Sequence, residues 1–137
     1  MTAKNSEIVR FWVERVWNQG DWAALADCHP ETFQNEGRAS TIAEAQAWHE
    51  RTRATFPDIH YTIDETMVTE ARVAFRWTAT GTHQGSLWGF VQPTEKVIRW
   101  NGMHMVGIEN GRISEVWVIS DTLAQLQQMG VQLQPPE

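Results

Sequence analysis

The sequence predicts an α+β fold, helices first and a bent antiparallel sheet after them. Two observations carry this. Apolar residues recur at helical spacing as far as Phe56, and from Tyr61 onward β-rich segments follow one another with turn signals and no helix-length pattern between them. Consecutive strands without a crossover helix pair antiparallel, and a sheet with one apolar face buries that face on the helices. A length of 137 residues makes one domain, and 42% apolar residues, with eight Trp and five Phe among the aromatics, supply its core.

From Glu7 to Asn18, Ile8, Val9, Trp12, Val13 and Val16 share one helical face while Glu7, Arg10 and Glu14 take the other, and Gly20 ends the helix. Asp21 opens a short second helix through Leu25 and Cys28 that stops near Pro30. The stretch Glu31 to Ser40 reads as irregular. Thr41 and Glu44 have the spacing of a capping box, opening a third helix that ends at Phe56 before Pro57. Strands are expected over Tyr61 to Val68, Arg72 to Thr80, Lys96 to Ile108 and Arg112 to Ile119. Leu123, Leu126 and Met129 mark a last short helix from Thr122 to Met129, stopped by Gly130. Residues 131–137, with Pro135 and Pro136, are expected to fray.

Eleven Lys plus Arg against seventeen Asp plus Glu give a net charge of −6, so no overall field draws phosphate backbones or anionic lipid. Neither nucleic acid nor a membrane is expected as a partner. The single cysteine, Cys28, cannot form an internal disulfide, and with no long apolar run the chain reads as a soluble cytoplasmic protein. The five histidines include no pair at metal-ligand spacing on one helix, and Cys28-His29 are adjacent rather than spaced as ligands, so no metal or other cofactor is expected. Absence of a glycine-rich phosphate loop and of a Gly-x-Ser-x-Gly elbow removes nucleotide binding and serine hydrolysis.

Four segments carry a resemblance: Phe56-Pro57-Asp58, the run from Arg76 to His83, the hairpin Glu109-Asn110-Gly111-Arg112-Ile113, and the close from Asp121 to Gly130. With the stretch Val16-Trp17-Asn18-Gln19-Gly20-Asp21, they make the chain resemble the SnoaL-like polyketide cyclases over nearly its whole length. The resemblance implies the nuclear-transport-factor-2-like, cone-shaped α+β fold, in which a curved antiparallel sheet wraps N-terminal helices. It does not by itself choose a function, since that fold hosts cyclases, isomerases, epoxide hydrolases and non-catalytic binders.

The Glu109-Asn110-Gly111 turn decides what stands beside His104. A two-residue Asn-Gly turn pairs His104 with Trp117, whereas a three-residue loop with Gly111 as bulge residue pairs it with Val116, and the family habit favours the latter. One face then carries Trp100, Gly102, His104, Val106, Val116, Val118 and Ser120. The other carries Met103, Met105, Glu115, Trp117 and Ile119, of which the two Met, the Trp and the Ile form an apolar patch expected to make a homodimer.

The resemblance places the family's acid–base carboxylate directly after the Trp matching Trp117, where this chain has Val118. His104 matches a pocket histidine of the cyclases and is the first catalytic candidate, as a base or a hydrogen-bond donor, against the alternative of a core histidine. Asp121 is the carboxylate nearest the end of that strand. It either replaces the missing acid or caps the final helix, and in the favoured register it stands about 13 Å from His104 at about 3.3 Å per residue. Asn35 lies where the cyclases keep a polar substrate-binding residue and could hold an oxyanion, or it is a turn residue. Trp48, Phe56, Phe75, Trp77, Trp88 and Trp100 are candidates to line a cavity for a flat apolar ligand, with Val116, Val118 and His83, whose alternative is a surface place at a strand end. The segment Gly85 to Pro93 would form a mobile rim. The expected function is a cofactor-free cyclase acting on a hydrophobic polyketide-type ester or carbonyl compound. Its rivals are a binder of small hydrophobic molecules and an isomerase or epoxide hydrolase of the same fold.

Overall fold

The computed structural model describes residues 2–137. Helix α1, Thr2–Phe11, starts earlier than its apolar periodicity and runs on as a π-helical segment, Trp12–Asn18. A π-turn hydrogen-bonds residue i to i+5, and such turns gather at functional sites. Here the wider turn brings Trp12 and Trp17, five apart, into edge contact with ring centroids 4.8 Å apart. Both are buried with Val9, Val13 and Val16.

A 3₁₀ turn, Trp22–Ala24, leads into α2, Leu25–Cys28. Pro30 stops that helix and, as the residue before a proline, His29 is extended, with φ −125° and ψ 150°. The stretch expected to be irregular is instead a hairpin of β1, Thr32–Asn35, and β2, Arg38–Thr41. Glu36 and Gly37, at φ 54° and 79°, form its two-residue turn. Helix α3, Ile42–Thr55, is capped as expected, the Glu44 N–H donating to Thr41 Oγ1 over 3.2 Å. The box is not closed, because the Glu44 carboxylate accepts from Ser40 Oγ.

The four long strands follow: β3 His60–Val68, β4 Arg72–Thr82, β5 Val97–Glu109 and β6 Arg112–Ser120, before α4, Thr122–Gln128. They pair antiparallel in sequence order, and β1 joins the free edge of β6 in parallel, giving one curved sheet ordered β2-β1-β6-β5-β4-β3. Val73, Phe75, Trp77 and Ala79 of β4 and Ile98, Trp100 and Val106 of β5 point to the helices and close the core. Residues beyond Met129 adopt no regular element, Gly130 ending α4 at φ 86°. Among the described residues no helix is long and apolar enough to cross a membrane.

The β5–β6 register departs from both expected versions. Asn110 and Gly111, at φ 51° and 75°, make a two-residue turn that pairs Glu109 with Arg112. Ser114 is then an extra residue, pairing moving from Ile108↔Ile113 to Gly107↔Glu115. His104 therefore stands opposite Val118 rather than Val116 or Trp117, and Ser120 stands opposite Gly102 rather than Trp100. The turn supplies one residue of offset and the bulge another. The net register differs from the favoured one by two, so the division of the hairpin into two faces is unchanged.

Candidate functional site

The helices and the concave face of the sheet enclose a cavity of about 900 Å³. Of the side chains expected to line it, His104, Asn35, Trp48, Phe56, Trp77, Trp88, Trp100, Val116 and Val118 do so. Three do not. Asp121 caps α4, its Oδ1 accepting the Ala124 N–H over 3.0 Å, which is the capping alternative. Phe75, the cross-strand partner of His104 on β4, is buried against that ring and stacks on it at a centroid distance of 5.1 Å. His83 is fully buried outside the cavity, its Nδ1 held by Thr94 and its Nε2 without a partner among the described residues. Its place near the end of a strand had suggested a pocket or surface position, but the turn that follows folds back over it.

His104 is held by Trp77, whose indole N–H donates to His104 Nδ1 over 2.9 Å. The indole reaches that nitrogen by lying across Gly102, its partner on β5, and a Cβ at Gly102 would collide with Trp77 Cζ2. Trp17 and Trp12 close on the same imidazole at 4.8 and 5.8 Å. Burial, with a smaller contribution from His49, pushes His104 down to about 3, so the ring is neutral at physiological pH. An indole N–H can only donate. Nδ1 is therefore the lone-pair nitrogen and the single ring proton sits on Nε2. As built, His104 is a hydrogen-bond donor.

Five side chains that border the cavity and bear on its chemistry were not among the candidates read from the sequence. Trp12 and Trp17 form part of the floor, although their periodicity marks only a buried helix face. His49, on α3, is pushed to about 3 by burial first and then by His29 and Arg53. His29 borders the cavity with Nδ1 2.9 Å from the Ile113 carbonyl, and burial lowers its affinity for a proton while that carbonyl partly restores it. Glu36 is the one carboxylate among the lining residues described, its Oε1 accepting the Val118 N–H over 2.7 Å at the position that carries no acid. The neighbouring Cys28 is no nucleophile, because burial pushes its thiol up to about 12.

The rim segment is fastened at one end. Gln84 and Gly85 both donate backbone N–H groups to the Thr55 carbonyl. Beyond this, Trp88 and Gly89 turn through left-handed φ values of 54° and 77°, and Trp88, which borders the cavity, is exposed, as is Phe90 beside it.

The family model described as SnoaL-like polyketide cyclase matches residues 7–129. Among solved structures, a candidate polyketide cyclase from Acidithiobacillus ferrooxidans is 25% identical, covering 93% of this chain and 94% of that one at a TM-score of 0.83. AclR from Streptomyces galilaeus, described as a candidate hydroxylase, is 26% identical with 95% and 98% covered and a TM-score of 0.82. IdmH from Streptomyces antibioticus, described as a candidate polyketide cyclase, is 27% identical with 92% and 98% covered and a TM-score of 0.80. No curated protein sequence matches significantly.

Proposed function

The chain belongs to the SnoaL-like polyketide cyclase family, and from that premise we propose that it is a cofactor-free enzyme acting on a hydrophobic polyketide-type ester or carbonyl compound. The observation that carries the reading is the cavity itself, about 900 Å³ walled by aromatic rings, with one neutral imidazole fixed in orientation by Trp77. Aromatic walls fold and hold a flat apolar substrate, and a preset N–H stabilises negative charge developing on its carbonyl oxygen without reorganising. His104 supplies that donor. Asn35, at the junction of β1 and β6, borders the same space, and in this reading its amide holds a second oxygen.

A second reading has a specific observation behind it. Val118 puts a side chain that cannot move a proton opposite His104, which suits a non-catalytic binder of small hydrophobic molecules. Titrating the protein with aromatic polyketide-like esters while following tryptophan fluorescence, then assaying the mixtures for ring-closed product, separates the two. Quenching with product formation supports the enzyme. Quenching with no product from any ester tested leaves the binder, and no quenching removes both.

A further inference from the structure

A donor alone cannot start acid–base chemistry; some group must accept a proton. We infer that His29 is that acceptor, so that His29 and His104 form a preset acceptor–donor pair for a carbonyl compound with an acidic C–H. This rests on the enzymatic reading of the cavity and deepens it.

The two imidazoles are held in opposite tautomers by opposite partners. A carbonyl oxygen can only accept, so His29 Nδ1, 2.9 Å from the Ile113 oxygen, carries the ring proton and Nε2 carries the lone pair. At His104 the indole of Trp77 imposes the reverse. The His29 ring is fixed by stacking on Phe33, with centroids 4.1 Å apart and planes 11° from parallel. Its Nε2 has no protein partner among the described residues, yet it is not among the buried atoms sealed from solvent. Since the residue itself is 2% exposed and borders the cavity, that nitrogen opens onto the cavity. Both rings pack at right angles to one indole, Trp12, at 5.4 and 5.8 Å, so a single side chain in the cavity wall touches both.

Adding a proton has different consequences at the two sites. At His29 it goes to the open Nε2 and leaves the Nδ1–H bond to Ile113 intact and charge-assisted. At His104 it would have to enter at Nδ1, against the Trp77 N–H, and destroy the bond that positions the ring. The step that follows is balanced within the pair. His29 Nε2 takes a proton from the carbon beside the carbonyl, the C–H pair becomes the C=C bond of an enolate, and the carbonyl π pair moves onto oxygen. That oxygen accepts the His104 Nε2–H. Once the enolate carbon has bonded to a second carbonyl, His29 returns the proton to the new alkoxide. A neutral imidazole is a weak base, which restricts the substrate to C–H bonds flanked by two carbonyl groups.

Long-range ¹H–¹⁵N correlation of the ring nitrogens in the parent protein, without substrate, reads both tautomers directly. His29 is expected to show a protonated Nδ1 and a bare Nε2, and His104 the reverse. The same tautomer at both rings, or a protonated Nε2 on neutral His29, overturns the inference. Deuterium uptake in D₂O at the α-carbon of ethyl 2-methyl-3-oxo-3-phenylpropanoate tests the chemistry. His29→Gln is expected to lower the catalysed rate by about 10²–10⁴-fold. A His29→Gln variant as fast as an active parent ends the base assignment alone. A parent that does not exceed the buffer rate ends it together with the enzymatic reading.

Discussion

Strands β5 and β6 present two faces that share a backbone and differ in everything else. On the concave side Val106 is fully buried, Trp100 nearly so, and His104 is gripped by rings. On the convex side, one residue out of phase, Met103, Met105, Trp117 and Ile119 are 56%, 48%, 42% and 82% exposed. Apolar content does not distinguish the faces; cover does. The helices close over one side, and there burial can fix rotamers, tautomers and charge states. The other side carries apolar area with nothing over it in the single chain.

Four measurements would break or sharpen that contrast. The largest effect is expected at Phe75, which backs His104: Phe75→Ala should cost about 3–5 kcal/mol in chemical denaturation, through lost burial and the cavity left behind. A loss under about 1 kcal/mol, the cost of an ordinary substitution, would mean that the concave side is not close-packed. Next comes acid sensitivity. His49 and His104 titrate near 3 when folded, against an ordinary value of 6.5, so between these pH values the unfolded chain binds protons that the native state refuses. Their contribution is complete above about pH 6.5 and is lost progressively as the pH falls toward 3. The thermal midpoint should drop across this window, and His104→Gln should flatten the drop.

The third effect is local. Asp121→Ala should destabilise by about 0.5–2 kcal/mol, while Asp121→Asn, which caps about as well, should change little in stability or turnover. A hundredfold loss of turnover in a stable Asn variant would return Asp121 to the catalytic list. The smallest change in fold stability belongs to the convex face, where Ile119→Lys should stay within about 0.5 kcal/mol. We propose that this face pairs with a second copy of the chain, so the same variant should turn a dimer into a monomer in light scattering at micromolar concentration. A monomeric parent would remove the proposal.

Much of this was legible in the primary structure because it is periodic or local. Alternation along β5 and β6 assigned the two faces correctly even though the register was not, since a shift of two residues is invisible to a period of two. Caps and stops at Thr41, Pro57, Asp121 and Gly130 follow from single residues. The β1–β2 hairpin was missed because its strands are four residues long and mostly polar and exposed, joined by a Glu-Gly turn of little signature. His29 was weighed only as a metal ligand beside Cys28 and set aside on spacing. What makes it chemically specific is a carbonyl 84 residues later in the chain, and no local pattern encodes that contact. The tautomer of His104 likewise depends on a neighbour 27 residues away.

The glycine beneath Trp77 shows how far such a dependence can reach. Gly102 has no side chain, makes no polar contact with the cavity, and would be passed over in any inventory of functional groups. Yet the empty space above its α-carbon is where the indole rests. Adding one methyl group there would evict the ring from its seat and cut His104 loose from the bond that selects its tautomer. An imidazole would then be free to exchange its donor role for an acceptor role without any polar residue having changed. In this protein a protonation state is written in a vacancy, and the mildest replacement in the genetic code, glycine to alanine, would rewrite it.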